Sequence, residues 1–223
     1  MTAGAYLAFA APLNWTALSA TWDHAWLELR RTAPAAVRQE LLAAWSERAR
    51  HYHDGRHLRE CLGLLEVWKG QGERTAELSI ALWFHDAIYH PGAADNELRS
   101  AAWAARALGE AYVSSEVAQR VYDLVMATQH AAHPAPVRSI DVELVLDIDL
   151  AILGAPPDRF QAFERDIRKE YAAVPGDVYR SARRTRLQGF IEREPLYHTI
   201  KARERLEAQA RINLQGALER LAQ

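Results

Sequence analysis

Residues 78–91 read "LSIALWFHDAIYHP", an apolar run of helical character that is interrupted by His85 and Asp86 and resumes at Ala87, Ile88 and Tyr89. A helix that is apolar on every side has nowhere to go but the interior, so residues 75–89 are expected to form a central buried helix. A second run of this kind, "IDVELVLDIDLAILG" at 140–154, is closed by Gly154 with Pro156 and Pro157. Working outward from these two, the other segments repeat with the helical period and none alternates as a strand. Two amphipathic segments fill 15–49, with Pro34 in a first helical turn. After His57, the stripe Leu58, Cys61, Leu62, Leu65 and Trp68 is stopped by "KGQGE". An Ala-rich helix to about 109 follows "HPGAADN", and Ser114 or Ser115 caps the next one. Further helices are expected near 158–173, 177–193 and 199–221, the last with Leu206, Ala210, Leu214, Ala217, Leu218 and Leu221 on one face. The fold class is therefore all-α, a single domain over 15–223 behind a lead-in at 1–14.

Composition narrows the function. A net charge of -2 provides no field for nucleic acid or an anionic membrane, so neither is expected as a partner. The lone Cys61 cannot form an internal disulfide, which fits a reducing cytoplasm. The opening "MTAGAYLAFAAPLNW" is apolar without a basic start, so it reads as a lead-in or packed first segment rather than a signal peptide. No apolar stretch is long enough to span a bilayer. The seven tryptophans (Trp15, Trp22, Trp26, Trp45, Trp68, Trp83 and Trp103) read as core filler between helices.

Both central helices carry residues that a core does not tolerate without a partner: His85 and Asp86 in one, Asp147 and Asp149 in the other. "RHYHDGRH" adds His53 and His57, four apart and on one face if a helix covers both, and "TQHAAH" adds His130 and His133. Imidazole and carboxylate together make a mixed nitrogen and oxygen shell for Mn, Fe, Co, Ni, Zn or Mg. One divalent ion would neutralise the buried acids and give the imidazoles a partner. The competing reading of each residue alone is a hydrogen-bonded core histidine or a capping or ion-paired aspartate. In "DNELRSA", Asp95 is expected to cap a helix with Glu97 in its first turn. Alternatively, Glu97 serves as a water-orienting base or as an acid just outside the ligands, and Arg99 as a phosphate contact. Of the later basic residues, Arg183 is the candidate to clamp phosphate.

The order His, then His-Asp, then Asp on successive helices resembles the HD-domain superfamily of metal-dependent phosphohydrolases. More narrowly, it resembles a bacterial family of HD-superfamily hydrolases of unsettled substrate. The resemblance runs from about Trp15 to the C-terminus. It is carried by "RHYHDGRH", "ALWFHDAIYHPGAADNELRSA", "VMATQH", "LDIDLAILG", "IRKEYAAVP", "ARRTRLQGFIEREPLYHT" and "ARINL". It implies an HD-type helical bundle in which His57, His85, Asp86 and Asp149 hold the metal. Asp147 competes for the last place, since two residues on a helix diverge by about 200°. Asp86 would also orient the attacking water, and His53 would be a further ligand or a histidine facing phosphate, with His130 near the substrate. The chain departs from the family at Asp54, where a Thr is usual, and at the two alanines between His130 and His133. The function implied is hydrolysis of a phosphate ester or anhydride, a nucleotide among the candidates. The alternatives are a non-enzymatic metal-binding or interaction protein and, less favoured, a di-iron HD oxygenase using His130 and His133.

Overall fold

The computed structural model describes residues 12–130 and 139–222, and among them there are helices and no strand. The first eleven residues of the expected lead-in, His133 and the "AAHPAPVR" segment lie outside the described residues. The elements run α1 (Trp15–Glu28), α2 (Ala35–Ala44), α3 (Gly55–Trp68), α4 (Thr75–Phe84), α5 (Asn96–Glu110), α6 (Ser115–Ala127), α7 (Ile140–Asp149), α8 (Pro157–Glu170) and α9 (Gly176–Ile191). A 3-10 turn, Leu150–Gly154, joins α7 to α8. The final helical stretch is α10 (Ile200–Ala202), a π turn (Arg203–Glu207) and α11 (Ala208–Leu221). The chain is an all-α, single-domain protein. Among the described residues, no helix is long and apolar enough to cross a membrane.

α4 sits where its sequence sends it. Every residue from Ala76 to Phe84 is buried, and the helix packs against α1, α3, α5, α6 and α7. Trp22 of α1 meets Trp83 edge-on at 5.3 Å, and Phe84 meets Trp103 of α5 at 5.6 Å. Five tryptophans are core residues, whereas Trp15 is exposed at the surface with Arg59 over its ring. An edge position at the start of α1 has no second layer to bury it.

Three helix ends differ from the sequence reading. α4 stops at Phe84 rather than running to residue 89, so His85 is its C-cap and Asp86 lies in the turn beyond. Arg50 holds that turn through the carbonyls of Asp86 and Ala87, the latter at 2.9 Å. α3 starts at Gly55, which leaves His53 before the helix and not on a shared face with His57. At the start of α5, Asp95 makes no side-chain cap; Asn96 instead clasps the His90 backbone, its Oδ1 accepting from N at 3.0 Å and its Nδ2 donating to O at 2.9 Å. Ser114 caps α6 as expected.

Candidate metal centre

Three elements bring donor atoms to one point. The carboxylate of Asp54 accepts the N–H groups of Arg56 and His57 at 2.8 and 3.3 Å, which starts α3 and puts His57 in its first turn. His85 donates from Nδ1 to the Leu82 carbonyl at 2.8 Å, an orphan acceptor at the end of α4. In the neutral ring that bond assigns the tautomer and puts the lone pair on Nε2, the atom an ion would take. Asp149 is the last residue of α7.

The His57 Nε2 atom lies 3.1 Å from His85 Nε2 and 3.1 Å from Asp149 Oδ1. Asp86 Oδ2 lies 3.2 Å from His85 Nε2 and 3.8 Å from His57 Nε2, and Asp149 Oδ1 lies 3.5 Å from His85 Nε2. Ligands held about 2.0–2.2 Å from one ion stand roughly 2.9–3.5 Å from each other. The observed separations fall in and just beyond that range. These residues could hold a metal ion.

Cys61, one turn along α3 from His57, also comes within reach, and its Sγ with the donors of His57, His85 and Asp149 falls within a 4.8 Å span. However, Sγ is 3.6 Å from His57 Nδ1 and 3.7 Å from Nε2. Near-equal distances place the sulfur beside the ring, not beyond Nε2 where the others meet, so Asp86 completes the set better. Burial, then the negative charge of Asp149, pushes the Cys61 thiol up, which keeps it protonated.

Burial alone would raise the carboxyls of Asp86 and Asp149. The charges of His85 and His53 outweigh it for Asp86, and hydrogen bonds from His130, His57 and His85 outweigh it for Asp149, so both are held below the usual carboxylate range. Burial likewise disfavours the charged form of His85, yet the Asp86 charge and bonds to both acids push it well above an ordinary histidine. The cluster draws positive charge inward.

The cluster opens into a cleft of about 630 Å³, within the range of small-molecule sites. His53 lines it, stacked on Tyr89 at 4.0 Å, with Nδ1 against Glu170 Oε2 at 2.7 Å. Although burial works against it, the charge of Asp86 and the Glu170 bond raise His53 above its ordinary value. Glu170 also accepts the backbone N–H groups of His51, Tyr52 and His53 at 2.8 to 3.0 Å. Glu97 lines the cleft, while Arg99, two residues on, is exposed and outside its lining. A half-turn along a helix separates the two, so one faces the cleft and the other solvent. His130, in the left-handed region at φ 51°, binds Asp149 Oδ2 through Nε2 at 2.7 Å. It therefore supports the cluster directly; its Nδ1 is buried and meets no partner among the described residues. Asp147 faces away, accepting the N–H groups of His198 and Thr199.

Arg183 lines the cleft, but Glu164 takes its guanidinium through Nη2 and Nε, and it lies over Phe163 at 5.0 Å. Arg186, which the sequence reading passed over, lines the same cleft and packs over Phe190 at 5.0 Å. It makes no hydrogen bond or ion pair among the described residues. Arg186 is exposed to solvent, and the protein packed around it, then the neighbouring Arg183, lowers its pKa, against the pull of Asp149 and Glu97. The period was the missed signal: Tyr179, Ala182, Arg183, Arg186 and Phe190 form one face of α9 and all line the cleft. No family model matches the chain, nor does any curated protein or solved structure.

Proposed function

We propose that the protein is a metal-dependent phosphohydrolase of the HD type, acting on a phosphate ester or anhydride. One observation carries the reading: two imidazoles and two carboxylates, from three elements distant in sequence, converge at 3.1 to 3.8 Å beside a cleft large enough for a substrate. A merely structural ion needs no such opening. His57, His85, Asp86 and Asp149 would hold the ion. When bound, a divalent ion supplies positive charge for phosphoryl oxygens and lowers the pKa of a water beside it.

The chain's own residues supply the rest. The Leu82 carbonyl keeps the His85 ring oriented, and His130 fixes Asp149 so that Oδ1 stays with the cluster. Asp86, which lines the cleft, accepts a hydrogen bond from the attacking water and orients it. Glu97 is the second acid placed to orient water. Glu170 accepts from His53 Nδ1 and, with the charge of Asp86, raises the pKa of His53, so that the protonated ring would donate from Nε2 to a phosphoryl oxygen. The reading is tested by elemental analysis of protein purified without added metal. The same protein is then screened for phosphate release from esters and anhydrides with Mn, Fe, Co, Ni, Zn and Mg. Co-purified divalent metal and ion-dependent hydrolysis are expected; a metal-free protein inert with every ion and substrate overturns it.

A further inference from the structure

The cleft has two unlike ends. At one end stand the cluster acids and His130, whose ring meets Phe190 of α9 at 6.3 Å. One turn from Phe190 is Arg186, whose guanidinium has neither hydrogen bond nor ion pair among the described residues. The facing wall is apolar and aromatic: Phe163 and Ile167 of α8 line it from Tyr52, which packs on both His57 and Phe163, and Tyr171, just after α8, meets Tyr179 of α9 with the two rings 6.2 Å apart. Seven residues of helix separate Arg186 from Tyr179, a rise of about 10 Å. The nearby cation of Arg183 is spent on Glu164, so it contributes no net charge to a ligand.

We infer that Arg186 recognises the terminal oxygens of a phosphate monoester whose organic group is aromatic or apolar and lies between the Phe163–Tyr171 and Tyr179 walls. The identity of the anion rests on the phosphohydrolase reading; the place of Arg186 rests on the cleft. The acids Asp86, Glu97 and Asp149 would repel an anion that met no positive charge; besides the ion and His53 of the proposed function, Arg186 is a cleft-lining cation with no ion pair among the described residues. A fork of guanidinium donors matches phosphate oxygens two at a time. A single aromatic arm accommodates one organic substituent, which favours a monoester over a diester. In the reaction the water oxygen bonds to phosphorus, the phosphorus–oxygen ester bond breaks, and the alcohol leaves with a proton from water. Arg186 is a substrate-binding residue in this scheme and takes no proton.

The test uses phenylphosphonate and methylphosphonate as non-hydrolysable probes by calorimetry, and phenyl phosphate and inorganic pyrophosphate as substrates, all on the metal-loaded full chain. Phenylphosphonate is expected to bind at least about 10-fold tighter than methylphosphonate. Arg186→Ala should weaken both by about 10-fold or more, as loss of a charge-assisted bond does. The variant should raise the KM for phenyl phosphate far more than it lowers kcat, with metal content unchanged. Arg184→Ala, an exposed neighbour outside the cleft, should change none of these. Equal binding of the two phosphonates, a preference for pyrophosphate, or unchanged binding in Arg186→Ala overturns the inference. Hydrolysis of phenyl phosphate with an unaltered KM in that variant overturns it while sparing the hydrolase. Conversely, aryl-selective, Arg186-dependent binding without hydrolysis of any substrate overturns the hydrolase and keeps the ligand class. An absence of both binding and hydrolysis overturns both.

Discussion

Asp147 accepts the backbone N–H groups of His198 and Thr199 at 2.8 and 2.7 Å, whereas Asp149, two residues on, points its Oδ1 at His57 and its Oδ2 at His130. The roughly 200° between them on a helix made it legible that only one could serve the cluster. Which one was not legible from period alone, because both lie in a run apolar on all sides. The assignment gives opposite outcomes for the two. Asp149→Ala should weaken metal binding by more than about 100-fold, beyond the loss usual for an outer partner of a ligand. Asp147→Asn should retain full metal content but cost about 1–3 kcal/mol, since an amide nitrogen would face one of the two N–H donors. Urea titration and elemental analysis of both proteins check the pair; equal metal loss in both would refute the register. The same logic separates Cys61 from Asp86. Cys61→Ser should keep its metal, and Asp86→Ala should lose both metal and turnover.

At the scale of elements, the connection that the sequence concealed is between the C-terminal end of α8 and the turn before α3. Glu170 anchors that turn with one carboxylate through three backbone N–H groups and His53, more than a hundred residues away in sequence. Burial would raise its pKa, but the His53 bond and charge, with the backbone bonds, lower it to about 2 from an ordinary 4.5. A depressed folded-state value means that this stabilisation is complete above pH 4.5 and is lost as pH falls towards 2. Roughly 3 kcal/mol is at stake, so wild-type protein should lose that much more stability than Glu170→Gln between pH 5 and 2, by urea midpoints. Parallel acid curves for the two proteins would show the anchor to be idle. Helix stripes such as that of α6 were legible, since they need only one period. The stop of α4 at Phe84 was not, because Ala87 and Ile88 continue the apolar pattern and the turn is held by side chains distant from it in sequence, Arg50 on the Asp86 and Ala87 carbonyls and Ser100 on Ile88 N. Gly154 shows the same limit. Its place before two prolines marks it as a helix terminator, yet a Cβ there would also meet the Leu206 carbonyl oxygen at 2.8 Å and its Cβ at 2.6 Å. Gly154→Ala should therefore cost at least about 1–3 kcal/mol as the 3-10 turn is pushed off the π turn, a loss that thermal melts would register.

For the whole molecule, His57, the His85–Asp86 pair and Asp149 belong to three elements around the buried α4, so an ion there would tie α3, the turn after α4 and α7 to each other. Such an ion binds the folded chain and has no comparable site in the unfolded one. Its removal must then lower stability, by about 2.7 kcal/mol if free metal stands at 100 times its dissociation constant. For a chain of this size each kcal/mol moves the melting temperature by about 2–4 °C, so chelation should lower Tm by roughly 5–11 °C. The fold itself should survive, because protonation of His85 can replace part of the charge that the ion supplied to Asp86 and Asp149. Re-adding the native ion should restore the melt in proportion to occupancy, and Asp86→Ala should show no response to either step. Thermal denaturation read alongside elemental analysis checks all three. A chelated protein proven free of metal but melting at the original temperature would mean that the four side chains close on one another without an ion, and the convergence of donors would then belong to the core rather than to a metal centre.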